Sequence, residues 1–424
     1  MNVLSIKQEF CAPGCVSVDC ADPGRFVRHT DQSVYKMADN IKDLHDRNMK
    51  SAKEKMCKEY GVNYVENGLL YDLAVRKHFL PVTHQLRDWM HIICSGGVAN
   101  TEIGLLIQLL FKVGVSLETM QNFIESVTLP HKHGKVRREW LSHKRIQDDN
   151  LKSYASIILS LAPIMLLFMT TVLPLEVRGM FKDHILCLRI LRDIIGLLSL
   201  GAVDAVPHVE TLRTLIKLHA ELFNKLYPLA AKPKFHHLFH IVDNVIYLER
   251  LLSCFVTERK HRASKKSALH VYRHMEHTVL ADMLNQFCNS MSTDVLFRRT
   301  ALVRAKKHPM PNTAGQTFYT AKSALLSCGE VDTGDVVYLT DHTIGKVLQF
   351  WQRHADDGAE IVVELEALPR KTPGTTNVVF SSSRTTIFEN AEAIIDACPW
   401  IKACEESILV LEPFVARDLA SVLR

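Results

Sequence analysis

The chain has 424 residues, and its 47% hydrophobic and 23% charged content excludes an intrinsically disordered protein and leaves room for two or three packed domains. A formal net charge of +5 and a pI near 8.5 are compatible with a polyanionic partner without requiring one. Eleven cysteines scattered from Cys11 to Cys404 read as reduced thiols of an intracellular protein, not as a secreted disulfide framework. The start MNVLSIKQEF lacks the charged, apolar and small-residue parts of a signal peptide.

Residues 1–31 are rich in Cys, Pro, Gly and Asp without lasting periodicity, and read as loop or as the end of a domain whose beginning is absent. Cys11, Cys15 and Cys20, with His29, offer zinc donors, but their spacing fits no common zinc pattern. From Ser33 to Tyr60, apolar residues at helical intervals among charged ones predict two solvent-facing helices. Helices are also expected at about 101–113 and 117–127, the second opened by Ser116 as N-cap with Glu118 in its first turn.

The run HKHGKVRREWLSHKR, His131 to Arg145, is strongly basic. Lys132, Arg137, Arg138, Lys144 and Arg145 are candidate phosphate contacts, with Trp140 as a stacking side chain. The alternative is a solvated loop and helix start. Ser153 to Leu175 carries no charged residue and has the length of a membrane span. Its internal Pro163, its Ser and Thr, and the charge-punctuated amphipathic segment that follows favour a buried helix instead.

Residues 150–230 are almost wholly helical by pattern, with breaks at Pro174, Gly201, Pro207 and Pro228. After about Met310, GDVVYL, IGKVLQFW, AEIVVELEAL and NVVFSS are short Val- and Ile-rich runs separated by turn residues. They predict a small SH3-like β-barrel or sheet, and KKHPMPNTAGQ reads as the linker to it.

Two clusters carry chemistry. In the first, Asp88-Trp89-Met90-His91, the acid and the imidazole project from one helical face. In the second, KPKFHHLFH (Lys232 to His240) precedes CFVTERKHRASKK (Cys254 to Lys266), where Glu258 sits beside five basic residues. By themselves Asp88 and His91 read as a helix cap and a satisfied core histidine, and Glu258 as an ion pair with Arg259 or Lys260. His236, His237 and His240 could form a metal site by their spacing, or could pack against the Glu258 segment.

The order DWMH, helical block, KPKxHHxxH, FVTERKH resembles the CACTA-like transposases, a branch of the eukaryotic DDE enzymes, over roughly residues 65–280. The resemblance implies a mixed, mostly α fold: a partial RNase H-like core over residues 65–300, interrupted by a large all-α insertion at about 101–230. An N-terminal remnant (1–64) would precede it, and a linker (301–315) and a small β-barrel-like domain (316–424) would follow. It further implies that Asp88 and His91 are the family's Asp-x-x-His pair and that Glu258 is the last acid of the catalytic triad.

Strand cleavage and transfer in that family use two Mg²⁺ ions about 4 Å apart held by carboxylates, so the resemblance implies Mg²⁺ at Glu258. Arg259, Lys260, Arg262, Lys265 and Lys266 would contact DNA phosphates. The first two catalytic Asp residues should lie on strands upstream of Asp88, where only Asp19, Asp22, Asp31, Asp39, Asp43, Asp46 and Asp72 occur. The expectation is therefore a transposon-derived nuclear protein that binds DNA, has no membrane partner and lacks competent strand transfer, with a homo-oligomer left open. The alternative is a non-enzymatic scaffold that presents the helical block and the β domain to protein partners.

Overall fold

The computed structural model describes residues 10–11, 15–17, 26–255, 277, 279–281, 284–285, 300–309, 317–355, 358–369, 378–381, 385–404 and 407–410. Everything said of the architecture concerns these residues. The chain is mixed, with a large helical part and several antiparallel sheets. It divides into two compact units: residues 1–114, 143–162 and 174–254 form the first, and residues 115–142, 163–173 and 255–424 the second.

The first unit opens with three short antiparallel strands, β1 (Phe10–Cys11), β2 (Cys15–Ser17) and β3 (Phe26–Arg28), where the sequence reads as loop. Runs of two or three residues are too short to show a period of two. Cys11 pairs with Cys15 across the β1–β2 ladder; Cys20 lies outside the described residues.

Helices α1 (Asp31–Asp46) and α2 (Lys50–Tyr60) occupy the predicted positions. A Thr30–Ser33 capping box starts α1 by satisfying the amides that the first turn leaves open. Val34, Ala38 and Ile41 of α1 share one core with Val62, Leu70 and Tyr71. That core has members on both sides of residue 64. The short α3 (Leu73–Arg76) is capped by Asp72.

A π-helix, Met90–Cys94, leads through a bend into α4 (Val98–Lys112). In the second unit, α5 (Leu117–Ser126) is capped by Ser116, whose hydroxyl accepts from the Thr119 amide at 3.0 Å, with Glu118 in the first turn as expected. The hairpin β4 (Ile146–Gln147) and β5 (Asn150–Leu151) lies against α4.

The helical block then runs through α6 (Ala155–Thr171), α7 (Leu175–Met180), α8 (Lys182–Ser199), α9 (Val209–Leu226) and α10 (Pro233–Leu248). Helix α6 contains Pro163, and Ile164 to Met169 are all buried. The one stretch among the described residues long and apolar enough to cross a membrane is Met90–Lys112, and most of it is buried inside the protein.

The β part belongs to the second unit. Its strands are β6 (Ala301–Val303), β7 (Lys306–Pro309), β8 (Thr317–Ala321), β9 (Ser323–Leu326), β10 (Gly329–Asp332), β11 (Val336–Leu339), β12 (Ile344–Ala355), β13 (Gly358–Ala367), β14 (Val378–Ser381), β15 (Thr386–Asn390), β16 (Ile394–Cys398), β17 (Trp400–Cys404) and β18 (Ser407–Val410). The four strand runs expected after Met310 are β11 to β14.

The expected linker at 301–315 is partly strand instead. β6 pairs with β9, and β7 with β8. Nor does a barrel close among the described residues. The main sheet runs β15-β13-β12-β11-β16, with β8 also on β12. The physical reason is the length of β12: β11 pairs with its Ile344–Lys346 end and β8 with Phe350–Arg353. The sheet extends along one long strand without curling β15 back onto β16.

All four residues of β11 are buried, and their alternation divides them between two cores. Val337 and Leu339 pack with Val347, Phe350 and Val363, whereas Val336 and Tyr338 pack with Ile344, Cys398 and Val410.

Candidate functional site

Asp88 lies two residues before the π-helix and sets the site. Its carbonyl accepts from the Ile92 amide at 3.2 Å, and its Oδ2 accepts from the His91 amide at 3.0 Å. The carboxylate is thus a side-chain cap for the amides that a helix start leaves unsatisfied. The same oxygen lies 2.5 Å from His91 Nδ1. Asp88 is largely buried, at 15% side-chain exposure, whereas His91 is 46% exposed. The cap reading of Asp88 is realised, and His91 is a surface group and not a core histidine.

The other Asp88 oxygen, Oδ1, accepts from the backbone N–H of Cys254 at 2.8 Å, 166 residues later. Cys254 opens the CFVTERKH segment. The KPKFHH segment reaches the same place: Lys234 Nζ donates to the carbonyls of His91 at 2.9 Å and Ser95 at 2.6 Å. His91 lies within the π-helix and Ser95 directly follows it, and a cation near a helix C-terminus is favoured by the helix dipole. Asn244 of α10 adds a third tie, accepting from the Arg87 amide at 2.8 Å. Three motifs far apart in sequence therefore meet at one π-helix.

The backbone after the π-helix demands glycine. A Cβ at Gly97 would lie 2.0 Å from the Ile92 carbonyl oxygen, so the turn into α4 can form only without a side chain. Burial holds the Lys234 ammonium below its ordinary value. Burial, and then the Asp88 carboxylate, push the neighbouring Cys94 thiol well above its ordinary range.

Asp88, His91 and Cys254 each offer a ligand atom, all within 4.8 Å of one another. An oxygen, a nitrogen and a sulfur donor suit a borderline metal, not Mg²⁺, which prefers oxygen ligands in an octahedron. Both Asp88 oxygens already accept hydrogen bonds. This group does not fit Mg²⁺, and Glu258 lies outside the described residues, as do Arg259, Lys260, Arg262, Lys265 and Lys266.

The upstream acids have structural tasks. Asp31 accepts from the amides of Val82 and Thr83 and from the Thr83 hydroxyl. Asp39 pairs with Arg76, Asp43 with Arg47, and Asp72 caps α3. Asp46 ends α1; Asp19 and Asp22 lie outside the described residues. Every described aspartate ahead of Asp88 thus sits on or at the start of a helix and not on a strand.

In the histidine cluster, His236 Nε2 and His240 Nε2 are 3.0 Å apart, so one ring donates to the other, and His240 Nδ1 is 3.4 Å from Asp243.

The basic run divides between the units. Within the second, Lys132 donates to Asp396 at 2.6 Å and to the Cys328 carbonyl at 2.9 Å. Arg138 meets Asn122, Glu125 and Glu118, and Arg137 is exposed. Trp140 is buried at 8% exposure, so its ring offers no open stacking face. Within the first unit, Lys144 is exposed and the Arg145 guanidinium lies 5.7 Å from the centre of the Tyr154 ring.

The sequence reading missed Cys254, Lys234 and Asn244 as partners of the Asp88 motif. Their backbone and carbonyl contacts leave no trace in residue type or spacing.

No protein-family model matches this chain, and no curated protein matches it.

Proposed function

We propose that this chain is a transposon-derived protein of the CACTA-like DDE type that binds duplex DNA through its basic segments and does not itself carry out strand transfer. The observation that carries the reading is the meeting of DWMH, KPKFHH and the first residue of CFVTERKH, through the contacts of Asp88 and Lys234. These are the motifs on which the family resemblance rests, and chance matches have no reason to converge. A partial RNase H-like core is part of the same proposal.

DNA binding is assigned to the ERKHRASKK segment together with Arg137, Lys144 and Arg145. Lys132 and Arg138 are already engaged by acids and carbonyls and contribute less. Strand transfer is left out of the assignment because the described upstream aspartates lie on or at the start of helices, with Asp39 and Asp43 in ion pairs and Asp72 in a cap.

The test is anisotropy of a labelled duplex with the full chain between 50 and 200 mM salt. Affinity falls linearly with log salt concentration, and Lys260→Ala with Lys265→Ala lowers the slope by about 2, near 0.9 for each phosphate that is no longer neutralised. Absence of binding at 50 mM salt refutes the reading.

The second reading, a protein-interaction scaffold, draws on the edge strand β15, where Phe388 is 59% exposed. Among the described residues that strand pairs on one side only, which suits the addition of an extended peptide. The scaffold would bind its partner with no such salt slope.

A further inference from the structure

Inside the first unit, away from the Asp88 site and independent of the function proposed above, three ionisable side chains meet in an apolar interior. Glu102 comes from α4, Cys187 from α8 and His219 from α9. Their exposures are 1%, 0% and 0%. Their ligand atoms all lie within 4.8 Å of one another.

His219 Nε2 and Glu102 Oε2 are 2.7 Å apart. The second carboxylate oxygen, Oε1, is buried without a hydrogen-bond partner, and so is His219 Nδ1. Phe223 and Phe235 flank the imidazole, with ring centres at 5.9 and 6.4 Å.

Taking a carboxylate out of water costs several kcal/mol unless it is paired and fully hydrogen-bonded, and here a carboxyl oxygen and an imidazole nitrogen are both buried without a partner. A thiol adds little, being a weak donor. We propose that Glu102, Cys187 and His219 form a structural zinc site that fastens α4, α8 and α9 together.

The charges then cancel: a carboxylate, a thiolate and a neutral imidazole against Zn²⁺ leave no net charge in the apolar interior. Binding breaks the Cys187 S–H bond, the sulfur keeps the electron pair, and the proton leaves to solvent. Glu102 and His219 need only small rotations, because tetrahedral zinc with bonds of about 2.0–2.3 Å places its ligands within an ångström or so of the separations seen here. The oxygen, nitrogen and sulfur set matches the ligands zinc takes. The fourth position falls to water or to His184, one turn before Cys187 on α8, whose Nδ1 is also buried without a partner.

The experiment uses the full chain carrying Cys254→Ser, which removes the sulfur of the Asp88 group from the measurement. It is stripped with chelator, titrated with Zn²⁺ and Co²⁺, and followed by metal content, the cobalt–thiolate absorption band and Tm. The expected result is one tightly held metal per chain with a thiolate band, and a loss of affinity of about tenfold or more on adding Cys187→Ser or His219→Gln. Unchanged metal binding in a folded Cys187→Ser protein overturns the proposal.

If Cys187→Ser fails to fold, Glu102→Gln decides. It keeps an oxygen for His219 but lacks the anionic ligand, and the proposal fails if its affinity equals that of the parent. If neither variant folds, the parent itself decides: chelation lowers its Tm if the site is real, and an unchanged Tm overturns the assignment.

Discussion

Replacing Asp88 by alanine removes three hydrogen-bond acceptances at once. The Oδ2 cap on the His91 amide contributes about 1 kcal/mol, the usual cost when an N-cap acceptor is deleted. The Oδ1 bond to the Cys254 amide matters more. That amide is left in a part-buried position without its partner, which costs about 1–3 kcal/mol. The interaction with the His91 ring adds little, because that ring is 46% exposed and a solvent-screened pair contributes at most about 1 kcal/mol.

The expected sum is about 2–4 kcal/mol. Asp88→Asn keeps one acceptor oxygen and turns an NH₂ group toward a donor, so it should lose roughly half as much. Denaturant unfolding gives the stability difference, and amide exchange at Cys254 gives the local one. Asp88→Ala should accelerate exchange at Cys254 more than at residues of α1, which belong to a separate core. If its stability stays within about 0.5 kcal/mol of wild type and Cys254 exchange is unchanged, the Asp88–Cys254 tie is not what joins the motifs.

Gly104→Ala tests the seat of the β4–β5 hairpin on α4. Alanine ordinarily favours a helix interior by about 1 kcal/mol over glycine. Here its Cβ would lie 2.5 Å from the Asn150 carbonyl carbon and 2.8 Å from the Leu151 nitrogen. These are backbone atoms that cannot turn aside, so the substitution should destabilise by about 1–3 kcal/mol, and a gain in Tm would refute the packing. Asp31→Asn tests the tie between α1 and residues 82–83. Burial works against the ionised Asp31 carboxyl, but hydrogen bonds from Thr83 and Val82 outweigh it and hold its pKa below the ordinary value. A depressed carboxylate contributes stability above its unfolded pKa of about 3.9 and loses it as pH falls through the folded value. Asp31→Asn should therefore cost about 1–3 kcal/mol at pH 7, with the difference fading below about pH 4; a pH-independent difference in urea melts contradicts this.

Local rules accounted for much of the fold. Ser116 predicted the start of α5 because a hydroxyl before an apolar run can satisfy a free amide. The helical block followed from a 3.6-residue apolar period, and β11 to β14 from Val- and Ile-rich runs between turn residues. Each of these depends on neighbours within a few positions. The boundaries at residues 64, 301 and 315 depended on something else. Val34 shares a core with Leu70, and Ala301 pairs with Leu325, and such partnerships are absent from composition.

The candidate site divides in the same way. By itself the sequence determined the residue types at the site: an acid and an imidazole three apart at Asp88 and His91, a lysine and histidines on α10, and a basic run after Glu258. Only the tertiary structure decided which of them meet. Asp88 reaches the Cys254 amide, Lys234 reaches the carbonyls of His91 and Ser95, and Lys132 is spent on Asp396. The buried group of Glu102, Cys187 and His219 is the clearest case. An acid inside TEIGLLIQLL and a histidine inside LIKLHAELF look like single lapses in two apolar stripes. Three helices must pack before the two polar groups and a cysteine on a third helix become one site, because proximity between distant residues is fixed by the core they share and not by either stretch alone.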